Sequence, residues 1–501
     1  MNSPTTKRPA ADDPSSDPSS HPAAAETSDA EVAAHTGAAR ARLELLVVGT
    51  AALSVSLSQS LLIPVLGLLP GRLHSDPATI EWLLTATLLV GAVAVPLFGR
   101  LGDMFGKRLM LMVAVLLLVV GSIVSGVTDN LPLMIAGRAL QGASIAAIPL
   151  GISLLASLLP RERVGGAVAL ISAMLGVGSA LALPLGGAIG EHADFHWLFW
   201  ITAIVGALSL AGVWAIVPEA PNRTPGRVDL VGAVLLSAAL VALLLPLAES
   251  GEWGWGSGRT LGLLGAAIVI LVVFGIVESH RSEPLVDLRA LRRKPIVLTN
   301  LASILFGFAL FAMMIGTATY VQAPEATGYG FGASILTGGF CLLPGGLMML
   351  VFSNASARMI HRVGAPRTLA FGATVVALGW VTRLSLTGHL WEVIAGTTLI
   401  GVGVAFGYAA MPTLINTHTP VTEIAAANGL NSLARSLGTS LASAIGGSVL
   451  AAHTLSGPLA GIPTLGAYRA IFVACIVAAV VAALIALATP RHADPDAMPE
   501  L

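Results

Sequence analysis

The sequence predicts an all-α membrane protein of fourteen transmembrane helices, arranged as two six-helix bundles with two helices inserted between them. Three observations predict it: an apolar composition, a series of long apolar segments, and an internal repeat. Mean hydropathy is +0.85. Of 501 residues, 55% are hydrophobic and 11% charged, against roughly 25% charged in a soluble domain. Net charge is −1, so nothing favours nucleic acid. The two cysteines, Cys341 and Cys475, lie in apolar segments, which rules out a disulfide framework and reads as core packing.

A membrane span needs about 20 predominantly apolar residues. Segments of that kind cover 43–69, 82–99, 109–127, 131–158, 165–190 and 196–217 in the first half. Two more follow at 229–248 and 260–279. The last six are 297–321, 333–352, 367–386, 390–415, 424–452 and 467–488. Backbone polar groups in lipid must be satisfied internally, and strand alternation is absent, so the segments are helices. Residues 1–41 are rich in Pro, Ser, Ala, Asp and Thr and read as a disordered cytoplasmic tail, neither a span nor a secretory signal. Residues 490–501 read as a second tail. The expected domains are 42–217 and 297–489 for the two bundles, with 218–296 holding the inserted pair and its linker.

Basic residues set the orientation. With the N-terminus inside, Arg72, Arg259, Arg383 and Arg469 fall in outer loops, and Arg138 and Arg435 fall inside spans. All remaining Lys and Arg fall on the cytoplasmic side. Trp82, Trp197, Trp200 and Trp391 collect at the expected outer helix ends, as an aromatic belt does. Both termini are therefore expected in the cytoplasm. Only Lys7, Lys107 and Lys294 are lysines, which with the Ala and Gly content fits a GC-rich bacterial genome and a bacterial cytoplasmic membrane.

The halves match at a nearly constant offset. Arg100, Gly106 and Leu111 align with Arg358, Gly364 and Leu369; Ile135-Ala136-Gly137 and Gly142 align with Ile394-Ala395-Gly396 and Gly401; Gly178 and Gly186-Gly187 align with Gly438 and Gly446-Gly447. The first six spans thus repeat as the last six. A parallel duplication of this kind places substrate at the midplane between two rocking bundles.

The charged loop Gly99-Arg-Leu-Gly-Asp-Met-Phe-Gly-Lys-Arg108 resembles the motif between the second and third helices of the major facilitator superfamily. The resemblance covers residues 43–488 and is closest to the fourteen-helix drug:proton antiporters of that superfamily. The Gly254/Gly256 turn and the loop Glu283-Pro-Leu-Val-Asp-Leu-Arg289 resemble that subgroup's linkers. The resemblance implies roles for particular residues. Gly99, Arg100, Asp103, Gly106, Lys107 and Arg108 form the gating loop, with Asp103 near Thr422 as a lock on the outward-facing state. The second copy carries His361 in place of Asp103, so gating is expected to be asymmetric. Arg138, in Gly137-Arg-Ala-Leu-Gln-Gly142, is implicated in proton transfer; the alternative is an arginine capping backbone carbonyls. Arg435 is the second intramembrane arginine, and either snorkels or functions.

Gly178, Pro184, Gly186 and Gly187 resemble the antiporter kink motif, although the family's Gly-Pro pair would fall at Ala182 and Leu183; plain packing glycines are the alternative. The first span, Leu57-Ser-Gln-Ser-Leu-Leu-Ile-Pro64, lacks the acid usual in this family, and no Asp or Glu stands in the central half of any expected span. Glu81 and Asp103 are the fallback proton carriers. Ser58, Gln59, Gln141, Phe308 and Met313 are candidates to line the substrate cavity, with lipid or core packing the alternative for the last two.

The expected activity is export of a hydrophobic or amphiphilic small molecule by alternating access, driven by protons, by a monomer in the lipid bilayer. Neutral, zwitterionic or anionic amphiphiles fit beside Arg138 better than strong cations. The alternative is import or facilitated diffusion of a small organic solute on the same fold. No cofactor or metal is expected. A nucleotide-driven pump needs G-x-x-x-x-G-K-[ST], and Gly102-Asp-Met-Phe-Gly106-Lys107-Arg108 has the wrong spacing and no hydroxyl. No H-E-x-x-H or G-x-S-x-G motif supports an enzyme.

Overall fold

The computed structural model describes residues 22–221, 223, 229–281, 293–385, 388–420 and 424–490. The chain divides into a short unit, Met1–Leu43, and a main unit, Glu44–Leu501. Fourteen helical segments stand where the apolar segments predict them. The first six are α1 (Pro22–Leu61), α2 (Pro77–Phe105), α3 (Lys107–Gly126), α4 (Leu131–Leu158), α5 (Arg161–His192) and α6 (Trp197–Ile216). The inserted pair is α7 (Leu230–Ala248) and α8 (Gly258–Ser279). The second set is α9 (Lys294–Gln322), α10 (Ile335–Val351 with Ser353–Val363), α11 (Ala365–Ser385), α12 (Leu390–Thr417), α13 (Ile424–Ala452) and α14 (Leu465–Leu487). Among the described residues, twelve helices are long and apolar enough to cross a membrane, and the bent α10 pair, which turns by 47°, makes a thirteenth. Helix α13 is 29 residues long but less apolar, because Asn428, Asn431, Ser432 and Arg435 put a polar stripe along it.

Helix termini follow local chemistry. Asp76, Asn130, Asp229, Ser257, Ser334 and Thr464 accept from the backbone amide three residues on, as N-caps do. One expectation needs correction. Helix α1 begins at Pro22, within the segment whose composition reads as a disordered tail. Alanine recurs from Ala23 to Ala41, and alanine is the strongest helix former. Residues 1–21 lie outside the described residues.

Helix pairing reproduces the repeat. Helix α2 packs on α4 and α10 on α12; α3 packs on α4 and α6, and α11 on α12 and α14. Among the described residues, the halves meet where α2 and α4 pack on α13 and where α5 packs on α10 and α12, and the repeat exchanges each of the first pair of contacts for one of the second. The inserted pair leans on α2 and α13 through a cluster of Ala92, Leu236, Leu240, Leu244, Phe274 and Leu433. Helix α8 has most of its apolar surface uncovered by protein, as a lipid-facing helix does.

The turn geometry also repeats. Gly106 (φ 123°) and Gly364 (φ 88°) each separate two helices by a single residue, a backbone conformation that side chains disfavour. Close helix contact is set by aligned glycines. A β-carbon at Gly142 would stand 2.4 Å from the Thr87 carbonyl oxygen of α2, and one at Gly401 2.0 Å from the Gly345 carbonyl oxygen of α10.

Candidate functional site

The centre of the N-terminal half is a polar knot around Arg138 on α4. Its guanidinium is 2% exposed. Nε donates to the Leu83 carbonyl (2.9 Å), and Nη1 to the Ser58 carbonyl (3.1 Å) and to Gln141 Oε1 (2.6 Å). Gln141 Nε2 donates to Ser122 Oγ (2.8 Å), and the Ser58 hydroxyl donates to Gln141 Oε1 (3.3 Å). The Thr87 hydroxyl donates to the Arg138 carbonyl (3.1 Å). One side chain therefore ties α1, α2 and α4 together, and through Gln141 reaches α3. Small residues make this possible: a β-carbon at Gly121 would stand 2.4 Å from the Gly137 carbonyl oxygen. A cavity of ≈10 Å³ touches Ser58, Arg138, Gln141, Phe199 and Thr202, about the size of one water. The oxygens that answer the guanidinium are all neutral. A charge held this way can reorganise when a carboxylate or a ligand approaches, because no ion pair must first be broken.

The charged loop between α2 and α3 is also built. Asp103 and Lys107 are 3% and 2% exposed, 3.8 Å apart, and Lys107 Nζ donates to Ser157 Oγ (3.0 Å). Gly106 lets α2 turn directly into α3. The exposed amides at that turn are capped by a residue the motif does not contain: the Glu219 carboxylate, after α6, accepts from Arg108 N (2.9 Å) and Leu109 N (3.2 Å). An acid at a helix N-terminus satisfies its orphan donors and its dipole. Arg108 Nη2 donates to the Trp214 carbonyl (2.6 Å), which ties the loop to α6. Gly99 is buried and Arg100 half-buried. Thr422, the expected partner of Asp103, lies outside the described residues, as does the Glu283–Arg289 linker. In the second copy, His361 is exposed and its Nε2 lies 3.5 Å from where a β-carbon on Gly165 of α5 would stand.

Arg435 on α13 points back along its own helix. Nη1 donates to Asn431 Oδ1 (2.7 Å) and Nη2 to Ser432 Oγ (2.7 Å), and the guanidinium lies 5.3 Å from the Tyr408 ring centroid. Asn431 in turn donates to Asn300 Oδ1 (2.9 Å) and Ser303 Oγ (2.7 Å). The Tyr408 carbonyl accepts from Ser172 of α5 (2.8 Å), a bond between the two halves.

The other candidates separate. Ser58 and Gln141 join Arg138, while Gln59 is half-buried. Met313 is 5% exposed within the core of the C-terminal half, and Phe308 packs against that core, so neither joins the Arg138 knot. Gly178 and Gly186 face α1, where β-carbons would stand 2.7 Å from the Leu53 oxygen and 2.5 Å from the Leu61 oxygen. Gly187 and Pro184 face α10 instead, at Leu336 and Gly339. These four residues seal α5 between α1 and α10. Helix α5 runs unbroken from Arg161 to His192 through Pro184.

Glu81 is exposed, yet it has company. Glu249, just past α7, is 4% exposed and accepts from the Thr85 hydroxyl (3.5 Å). Burial pushes the Glu249 carboxyl above the usual carboxylate range, and the charges of Glu252 and Glu81 push it further. Sequence reasoning placed Glu249 at a span end without seeing this cluster, because its members come from two distant segments, the start of α2 and the residues after α7.

The sequence profile of the Major Facilitator Superfamily matches residues 48–387 and 347–499. The chain belongs to this superfamily of membrane transporters. It is 29% identical over 413 residues to the tetracenomycin C resistance and export protein of Streptomyces glaucescens, which covers 82% of this chain and 76% of that protein. It is 31% identical over 360 residues to a puromycin resistance protein of Streptomyces alboniger, covering 69% and 68% of the two chains. Multidrug resistance protein 3 of Bacillus subtilis is 24% identical over 371 residues, covering 73% and 71%. Among solved structures, a human organic anion transporter superposes with a TM-score of 0.63 at 15% identity, covering 89% of this chain and 99% of that one. That likeness speaks for the fold.

Proposed function

We propose that this protein exports small amphiphilic molecules, drugs or antibiotics among them, across the bacterial cytoplasmic membrane in exchange for protons. The observation that carries export is the similarity to proteins named for resistance and export along most of both chains. Residues 42–217 and 297–489 move as two units, and the α2–α13 and α5–α10 contacts are the seams that open alternately. Both termini face the cytoplasm, and one chain is the working unit. Asp103 locks the seam beside α13, with Lys107 and Glu219 holding the loop in shape.

Proton exchange is supported by two features of the N-terminal half. Arg138 is a buried cation held by neutral oxygens, free to answer a proton-carrying or substrate group. Glu249, beside Glu81, holds its proton more tightly than an ordinary carboxylate, so it can load on the acidic side of the membrane. Import or facilitated diffusion on the same fold is the second reading, favoured by the absence, among the described residues, of a carboxylate hydrogen-bonded to Arg138. Accumulation of fluorescent amphiphiles in cells expressing the protein tests the proposal. Expression should lower accumulation, and a protonophore should restore it. Higher accumulation on expression would support the importer.

A further inference from the structure

The C-terminal half hides a charge that the sequence reading placed in an outer loop. Arg383 lies in the last turn of α11 with 0% exposure. Its Nε, Nη1 and Nη2 have no hydrogen-bond partner among the described residues. Trp380, one turn earlier on the same helix, is 1% exposed, and its Nε1 is unpartnered as well. The surroundings are aromatic. The guanidinium carbon lies 5.0 Å from the Tyr320 ring centroid and 5.1 Å from that of Phe472, and Trp380 packs on Phe472 at 5.3 Å. Among the described residues, the titratable groups that face Arg383 are the Tyr320 phenol and the Cys341 thiol. Nearby oxygen is already engaged: the Thr397 hydroxyl donates to the Cys341 and Ile394 carbonyls. The arginine stem is pinned against α12, where a β-carbon on Gly396 would stand 2.7 Å from Cγ and Cδ.

A buried donor without a partner is rare and calls for an ion or water to satisfy it. A buried guanidinium calls for negative charge, and ring faces answer only part of that need. Among the described residues, the unpartnered nitrogens of Arg383 and Trp380 are all donors, and the groups beside the guanidinium are the Tyr320 and Phe472 rings and the Cys341 thiol. Surroundings of this chemistry disfavour cations and strongly hydrated divalent anions, and suit a small monovalent anion that sheds its water readily. The repeat sharpens the point. It aligns Arg138 with Thr397 and Ser125 with Arg383, so each half carries one buried arginine, contributed by different helices. The first is answered by protein oxygens and the second, among the described residues, by none.

We propose that Arg383 and Trp380 hold a small monovalent anion of the halide class inside the C-terminal bundle, where it serves as the counter-charge that keeps this arginine buried. The proposal does not rest on the direction of transport.

The test uses purified full-length protein in detergent at constant ionic strength, with potassium gluconate exchanged stepwise for chloride, iodide or acetate. Thermal unfolding and tryptophan fluorescence are read together. Chloride and iodide should raise the unfolding temperature along a saturating curve, and iodide should quench part of the fluorescence with the same midpoint. Arg383→Gln should abolish both responses. Trp380→Phe should remove the saturable quenching while a weakened halide shift in unfolding temperature remains. Quenching and stability that change only linearly, and alike in all three proteins, would overturn the proposal. Acetate stabilising where halides do not would also overturn it, in favour of an organic carboxylate. Should Arg383→Gln fail to fold, the wild-type titration and Trp380→Phe decide the matter, since a wild type without a saturable halide response refutes the site.

Discussion

The two halves share a backbone and differ in chemistry. In both, a positive-φ glycine joins two helices at the charged loop, Gly106 and Gly364. In both, one glycine brings the fourth helix of the half onto the second, Gly142 on Thr87 and Gly401 on Gly345. The side chains at matching places have parted. The loop acid Asp103 becomes His361, and the buried arginine moves from α4 to α11. Duplication preserved what packing demands, because a β-carbon at these glycines has nowhere to go. It released what packing does not demand, and the released positions include Asp103 and Arg138, the residues proposed here for gating and coupling.

The comparison can be broken in several ways. The largest effect should come from Arg138→Ala, which removes the guanidinium from Gln141 Oε1 and from the carbonyls of Leu83 and Ser58. One charged hydrogen bond is worth about 1.5–3 kcal/mol, roughly 10–100-fold, so loss of three predicts a fall in transport of more than about 100-fold. Substrate-dependent proton release should vanish while the protein still inserts, as surface labelling of the membrane fraction would check. Unchanged release removes Arg138 from coupling.

Next in size is the shared backbone frame. Gly142→Val and Gly401→Val should each destabilise the protein by about 1–3 kcal/mol through overpacking, and to a similar degree. Thermal unfolding of the two variants is the measurement. A large effect at one site and none at the other would show that only one half keeps the close approach.

Asp103→Asn should slow transport several-fold, whereas His361→Ala, at an exposed position, should do little. Equal effects in initial-rate assays would reject the asymmetry of the gate.

The smallest effect concerns Glu249. Its folded-state proton affinity is raised above the ordinary value of 4.5, so between the two values the folded protein binds more protons than the unfolded chain. Stability contributed at this site therefore falls as pH rises above 4.5. Glu249→Gln should be the more stable protein on the alkaline side, with the difference shrinking as pH is lowered. Its transport rate should also respond less steeply to pH. A parallel pH profile for wild type and variant contradicts this role.

Much of the fold was legible because lipid imposes a simple rule: a spanning helix needs a long apolar run, and among the described residues each of the fourteen expected segments holds a helix, all but the more polar α13 apolar enough to cross a membrane. The start of α1 was misread because composition weighed Pro and Ser over the alanine run after Pro22. The site was legible where it is local. Arg138 and Gln141 are three residues apart on one helix, so the knot's core shows in the sequence. Ser122, Glu219 and the Glu249 cluster come from distant segments, and no spacing announces them. Arg383 was misplaced for a related reason. Two residues from the end of α11, an arginine ordinarily snorkels to the surface, and the ring faces of α9 and α14 turn it inward.

The most direct measurement uses purified protein in liposomes with an imposed pH gradient, a panel of neutral, anionic and cationic amphiphiles, and simultaneous recording of substrate flux and lumenal pH. Proton-driven export predicts substrate moving against its own gradient while protons move the opposite way, with neutral or anionic compounds preferred and Arg138→Ala inert. Flux only down the substrate gradient, with lumenal pH unchanged, would contradict the account and make this protein a facilitator.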